Sequence, residues 1–488
     1  MQAETLARHL GPWSPGKGPL QRKLARSLAQ AIRRGLLNPG VRLPSERTLA
    51  RVLRLSRTTV VGAYDSLRDN GWLESRSGSG TWVSAKSPSV AAARSATHAG
   101  SLADSPLLGL MERRDEADMV DFALGSPLPL HDLPGDPFAL PQDEHRALVC
   151  DRFYYPLGIA ALRGALAAYY RERELPSAPE QILITNGAQQ ALALIVASYV
   201  QRGDVVLVED PTYFGMLDVL RAAGARILSL PVGGEGVKPS VLRDRITATA
   251  ARLVYLTPTF QNPTGTVMPR AARKEICQIA SALGVPVLED EVLAELAIDG
   301  ATPPPIAAHA AGAPILTVGS VSKLIWPGLR VGWVRAEEPV IERLARLKSS
   351  LDLGSPTLTQ AIALRLLACV EQARQRRRAE LKLKRDAVAT MLREQLPEWS
   401  FRLPAGGAFL WVKLPSGDAR EYAQLSLRHG VRILAGPTMS AAEGCTLWIR
   451  LPFLVDMPTL AIGVRRLATA WREFCADEKR AGTRVGLV

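Results

Sequence analysis

At 488 residues the chain is too long for one ordinary domain, and at about 150 residues each, two or three are expected. A hydrophobic content of 47% excludes wholesale disorder. There is no run of about eighteen apolar residues and no apolar signal core near Met1, so neither a membrane span nor secretion is expected. Charge is uneven. Residues 1–86 hold 15 Lys/Arg against 5 Asp/Glu, a net of +10 out of the chain's +13, so a basic module precedes a near-neutral body. Such a module points to a polyanion, nucleic acid first. Five cysteines without a CxxC pair fit reduced thiols in a cytoplasm better than disulfides or zinc, and no metal site is expected.

In the basic module Leu20, Leu24, Leu28 and Ile32 recur as one face of a helix. After Asn38-Pro39-Gly40, Ser45 can cap a short helix with Leu49, Ala50 and Leu53 on its apolar face. Ser56 can cap the next, whose inward face is Val60, Ala63, Tyr64 and Leu67. Arg57, Thr58 and Thr59 are then left at an exposed first turn, where a recognition helix presents side chains to base edges. Two strand-like stretches, 72–74 and 81–83, flank Arg76-Ser-Gly-Ser-Gly80, a basic, glycine-rich hairpin tip suited to close approach to a phosphate backbone. Together these make a winged helix-turn-helix. LPSERTLARVLRLSRTTVVGAYDSLRDNGWLESRSGSGTWV resembles the GntR-type DNA-binding domain nearly end to end. That resemblance implies DNA contacts from Arg47 and Arg57, with Thr58 or Thr59 and wing residue Gly78 or Gly80 close to the backbone.

Residues 87–119 are small and polar without sustained periodicity, as a flexible linker is. His98 and His131 lie in or near it without partners in the pattern. From about residue 120 to 488 the pattern is α/β. Apolar runs at 181–185, 205–208, 253–256, 285–288 and 315–318 alternate with helical stretches and predict buried strands of a mostly parallel sheet. Polar groups follow each run: Gly187, Ala188 and Gln189; Tyr213; Asn262; Asp290; and Lys323. Ligands of open α/β sheets bind outside the carboxyl ends of strands, so these stretches converge on one crevice.

The last run leads into Gly319-Ser320-Val321-Ser322-Lys323 and, seven residues on, Arg330. Hydroxyls, turn amides and a guanidinium suit a phosphate dianion, and a lysine amine beside them suits a Schiff base with an aldehyde. Pyridoxal 5′-phosphate carries both groups. In that reading the helix opening at Gly187, with Ser320, Ser322 and Arg330, holds the phosphate. Asp290 pairs with the pyridine nitrogen, Asn262 donates to the ring phenolate and Tyr213 stacks on the ring. Arg450, a lone cation in the apolar strand 447–451, suits a substrate or effector carboxylate. Taken singly, Asn262-Pro-Thr-Gly also reads as an ordinary turn, Asp290 as a cap and Arg450 as a structural ion pair. A basic run from Arg374 to Arg385 reads as the solvated face of a helix whose other face carries Leu381, Val388 and Leu392.

TNGAQQAL, DPTYFG, TPTFQNPTG, EDE and GSVSKLIWPGLRVGW stand in the order of the fold-type I aminotransferase family, which the chain resembles over roughly residues 120–470. The resemblance implies a large, mostly parallel sheet domain with a smaller α+β C-terminal domain, and two chains sharing each active site. The segment 153–158 is similar to the one whose tyrosine, here Tyr154, reaches the other subunit's phosphate. One departure stands out. The family usually has a tyrosine two or three residues after the aspartate, and here Val292 and Leu293 occupy those positions.

Winged helix at 1–86, linker at 87–119 and aminotransferase-like body at 120–488 together resemble the MocR subfamily of bacterial transcription regulators. This implies a cytoplasmic, head-to-tail homodimer, nucleoid-associated when bound to promoter DNA, that responds to an amino compound or to the cofactor itself. The missing tyrosine argues against efficient transamination more than against cofactor binding, and leaves a residual transamination half-reaction open. The alternative is a working aminotransferase carrying a DNA-binding domain.

Overall fold

The computed structural model describes residues 3–10, 19–33, 37, 41–53, 55–69, 72–76, 80–84, 118–130, 133–151 and 153–483. The chain divides into two compact units, Met1–Ser105 and Pro106–Val488. Of the linker expected at 87–119, only residues 118 and 119 are described, and His98 and His131 also lie outside the described residues.

Among its described residues the first unit has four helices, α1 (Ala3–Leu10), α2 (Leu20–Arg33), α3 (Glu46–Leu53) and α4 (Arg57–Asp69), followed by the antiparallel pair β1 (Leu73–Arg76) and β2 (Gly80–Val83). Leu24, Leu28, Ile32, Leu49, Val60, Ala63, Tyr64 and Leu67 share one core with Leu6 of α1. Leu20 departs from the expected stripe. It is the first residue of α2 and stays 42% exposed, because the helix begins there and only its later turns reach the core. Both expected caps form: Ser45 Oγ accepts from the Thr48 amide at 3.2 Å and Ser56 Oγ from the Thr59 amide at 3.1 Å.

In the second unit, β3 (Val120–Asp121) enters the body, and seven further strands build one sheet. They are β4 (Ile182–Thr185), β5 (Val205–Asp210), β6 (Arg226–Pro231), β7 (Leu253–Leu256), β8 (Val287–Asp290), β9 (Ile315–Ser320) and β10 (Gly332–Arg335), in the order β4-β10-β9-β8-β7-β5-β6. All neighbouring pairs are parallel except those made by β10, which runs antiparallel between β4 and β9. Successive residues pack into different apolar layers: Leu253 and Tyr255 into one, Val254 and Leu256 into the other. A strand buried on both faces reads as a near-continuous apolar run, with polar residues gathered mostly at its ends, and these strands follow that pattern.

A smaller sheet holds β11 (Ser400–Phe401), β12 (Phe409–Lys413), β14 (Leu434–Ala435) and β15 (Trp448–Pro452), while β13 (Val431–Arg432) pairs in parallel with β3. The helix Met457–Thr483 closes the described chain.

The basic run lies in the helix Val370–Gln395, and its solvated face is only part of it: Arg376, Arg378 and Lys382 are exposed. Arg377, Lys384 and Arg385 are buried, and Arg374 pairs with Glu295. A buried guanidinium needs acceptors for its donors, and Arg377 finds them in three carbonyls. It donates to Leu324 O at 3.0 Å, Ile325 O at 3.3 Å and Leu128 O at 2.9 Å.

Candidate functional site

Lys323 stands in the turn after β9, with Arg377 clamping the two carbonyls that follow it. Its amine donates to Gly125 O at 2.5 Å. Burial and the guanidiniums of Arg450 and Arg330 pull the amine down to about 8, against the opposing pull of Asp290. A lysine at that value has a substantial neutral, nucleophilic fraction near neutral pH.

The anion cradle begins at Gly187, which precedes the helix Ala188–Tyr199 with φ 84°. A Cβ there would lie 2.5 Å from Arg330 Nη2, and one at Gly332 would lie 2.6 Å from the Ala188 nitrogen. The first amides of a helix point out of its N-terminus, where anions bind. Exposed Arg330 reaches back to Asn186 O at 3.0 Å and pairs with no carboxylate among the described residues. Gln189 turns its side chain away to Tyr213 and Gly215 O, leaving its backbone at the cradle. Ser320 and Ser322 lie 2.8 Å apart, and Ser320 donates to Val331 O at 2.8 Å. With its proton on that carbonyl, Ser320 braces the lysine turn and accepts the hydroxyl proton of Ser322.

Asp290 ends β8, buried. Tyr255 donates to its Oδ2 at 2.7 Å and the Val292 amide to its Oδ1 at 3.0 Å. Burial raises the carboxyl and these two donors lower it, with a net rise. Val292 and Leu293 pack into the two apolar layers, so no hydroxyl stands at either position. The next carboxylate, Glu291, faces the other way, to Arg173, Arg273 and Thr259.

Asn262 accepts from Arg450 Nη1 at 3.1 Å, which leaves its amide nitrogen to donate. Arg450 is 2% exposed, gives Nη2 to Ala123 O at 2.5 Å, and lies 4.0 Å from the Phe409 ring centroid. Its Nε is buried without a partner among the described residues. Burial lowers Arg450 to about 9, with Tyr213 and Asp121 opposing. Tyr154 is 74% exposed.

In the first unit Arg47, Arg57 and Thr58 are exposed, and Gly80 is exposed with φ 100°. Ser56 Oγ bonds the hydroxyls of Thr58 at 2.8 Å and Thr59 at 2.7 Å, tying both to the helix start. Gly78 lies outside the described residues.

Sequence reasoning missed Gly125, Tyr255, Arg377 and the carboxylate of Asp352 that bonds Asn186 and Gln190. Only Tyr255 left a trace, as the one polar group in an apolar strand.

A half-buried low-pKa amine, a cradle that a Cβ would fill, a buried carboxylate and an orphaned guanidinium nitrogen fit a phosphorylated pyridine aldehyde with an amino-acid partner. Such a site at the carboxyl ends of a mostly parallel sheet defines an aminotransferase-like protein. The model of aminotransferase class I and II matches residues 142–467, and that of the bacterial regulatory proteins, gntR family, matches residues 20–83. YisV of Bacillus subtilis, an uncharacterized HTH-type transcriptional regulator, is 34% identical over 421 residues, 83% of this chain and 86% of its own. The probable rhizopine catabolism regulatory protein MocR of Rhizobium meliloti is 31% identical over 352 residues, 70% of each chain. The structure of LysN, the alpha-aminoadipate aminotransferase of Thermus thermophilus complexed with N-(5′-phosphopyridoxyl)-L-leucine, superposes with a TM-score of 0.69. It is 30% identical, over 76% of this chain and 95% of its own. The chain belongs to the class I and II aminotransferase family and, with its GntR-type head, to the MocR subfamily of transcription regulators.

Proposed function

We propose that the protein is a DNA-binding transcription regulator whose body holds pyridoxal 5′-phosphate at Lys323 and senses an amino compound there. The observation that carries this is the Lys323 amine, held at Gly125 O between Arg450, Arg330 and Asp290, in a chain that also has a GntR-type head. The bound cofactor would supply an aldehyde and an electron-withdrawing ring. The residues of the chain do the rest. Asp290 holds a proton at the pyridine nitrogen, the first amides of the helix Ala188–Tyr199 with Ser322 and Arg330 hold the phosphate, and Asn262 orients the phenolate edge. Arg450, with its free Nε, grips the effector's carboxylate.

Coupling to DNA requires the effector to favour one of two states of the protein. Arg47, Arg57, Thr58 or Thr59 and the wing at Gly78 or Gly80 face promoter DNA, and the protein works in the cytoplasm. The homodimer reading is supported by an apolar edge: Phe153, Tyr154, Leu351 and Leu353 are 77, 74, 65 and 55% exposed. Gly354 lies against the Tyr155 backbone, which brings these residues together. We read the organisation as winged helix at 1–86, linker at 87–119 and body at 120–488.

The test is the visible spectrum of cofactor-loaded protein while amino compounds are added, with and without a 2-oxo acid. A band that shifts and then persists supports a sensor. Sustained product formation with the 2-oxo acid makes the protein a working aminotransferase.

A further inference from the structure

The cradle at residues 186–190 does not hold itself. Asn186 and Gln190 flank its amides, and both side-chain amides donate to one oxygen of one carboxylate. Asn186 Nδ2 is 3.0 Å and Gln190 Nε2 2.8 Å from Asp352 Oδ2. The other oxygen, Oδ1, takes the Lys348 amine at 2.8 Å and the Gly354 amide at 3.1 Å. Gln190 closes the loop by accepting from the Asn186 backbone amide through Oε1 at 2.7 Å, and Asn186 O receives Arg330. Four donors therefore converge on Asp352, and two of them belong to the residues that set the direction of the cradle.

Asp352 ends the helix Glu338–Asp352, whose next residue, Leu353, is left-handed at φ 56°. The turn that follows is fixed from outside, since a Cβ on Gly354 would lie 2.9 Å from Tyr155 O. Lys348 is fully buried, and its bond to Asp352 satisfies its charge. Burial opposes ionisation of Asp352, but Lys348, Gln190 and the Gly354 amide outweigh it and hold the carboxyl below the usual aspartate range.

We infer that Asp352 is a positioning residue for the phosphate of the cofactor: through Asn186 and Gln190 it sets the helix amides and Arg330 that receive the dianion. This rests on the pyridoxal-phosphate reading of the site. A carboxylate can accept all four donors, whereas an amide in its place accepts at one end only. Either orientation of asparagine leaves two donors facing an NH2 group. Ring-side groups, Asp290, Tyr255 and Asn262, have no bond to Asp352.

The test compares the affinity of the full chain for pyridoxal 5′-phosphate and for pyridoxal, read from absorbance and fluorescence titrations. Asp352→Asn is expected to weaken the phosphorylated ligand about tenfold, the size of one lost charge-assisted hydrogen bond. Pyridoxal, which lacks the phosphate, should change less than about twofold, within the scatter of an untouched site. Lys348→Met loosens the same helix end but leaves Oδ2 with both amide donors, so it should keep the wild-type ratio. An unchanged ratio in Asp352→Asn, or an equal loss of ratio in Lys348→Met, overturns the inference. Wild-type protein that takes up neither ligand overturns the cofactor reading and the inference together.

Discussion

Tyr255 gives its hydroxyl proton to Asp290 at 2.7 Å, across the adjacent strands β7 and β8. Both groups are buried, so this bond is one of two that help keep the carboxylate ionised. The other is the Val292 amide, at the position where the family usually has a tyrosine.

Tyr255→Phe should therefore make Asp290 harder to ionise. Loss of a hydrogen bond to a charged acceptor costs about 1.5–3 kcal/mol, so cofactor affinity should fall by roughly tenfold or more. The loss should be larger at the lower of two pH values, because a raised carboxyl is protonated in a larger fraction of molecules there. Equal losses at both pH values would remove Tyr255 from the control of Asp290.

Uptake of the cofactor aldehyde requires the neutral Lys323 amine. With that amine drawn down to about 8 by burial and by Arg450 and Arg330, the uptake rate should rise through a midpoint near pH 8. Stopped-flow absorbance between pH 6 and 10 checks this, and Lys323→Ala should show no covalent uptake at all. A midpoint at the ordinary lysine value would mean the amine is solvated.

Glu209 is a second buried acid. Its Oε2 accepts from the Thr257 amide at 2.9 Å and its Oε1 has no partner among the described residues. Burial pushes the carboxyl up to about 8, while the Thr257 and Gln261 donors lower it. A group raised from 4.5 to about 8 on folding is protonated in the native state and ionised in the unfolded one between those values. Its contribution to stability is thus complete below the lower value and lost as pH rises through the upper one. Glu209→Gln, which cannot ionise, should gain stability relative to wild type as pH rises from 5 to 8. Urea unfolding at several pH values measures that gap, and parallel curves would refute the idea.

Arg57→Ala should weaken operator binding by about 1–3 kcal/mol, the worth of a good base contact, and leave the cofactor spectrum unchanged. Fluorescence anisotropy at two salt concentrations separates a lost base contact from a lost phosphate contact, since only the latter flattens the salt dependence. Unaltered affinity would exclude Arg57 from the interface.

Elements whose signal is local were legible in the sequence. The caps at Ser45 and Ser56 act within three residues, and the stripe Val60, Ala63, Tyr64 and Leu67 follows from helix geometry alone. The buried strands announced themselves as continuous apolar runs. The helix Val370–Gln395 misled in part, because charge there is not always exposure: Arg376, Arg378 and Lys382 are solvated, but Arg377 is buried against carbonyls about fifty residues away along the chain, a pattern no helical wheel displays.

The sequence by itself determined the kinds of element, their order, the basic head, and a lysine, an aspartate and a glycine-led helix start at strand ends, because periodicity and turn chemistry are short-range. Only the tertiary structure decided which groups meet. Lys323 meets a carbonyl 198 residues away and Asp352 meets an amide 166 residues away. Those distances depend on strand order, on β10 slipping antiparallel between β4 and β9, and on where each helix end comes to rest. Packing sets these, and no local pattern encodes them.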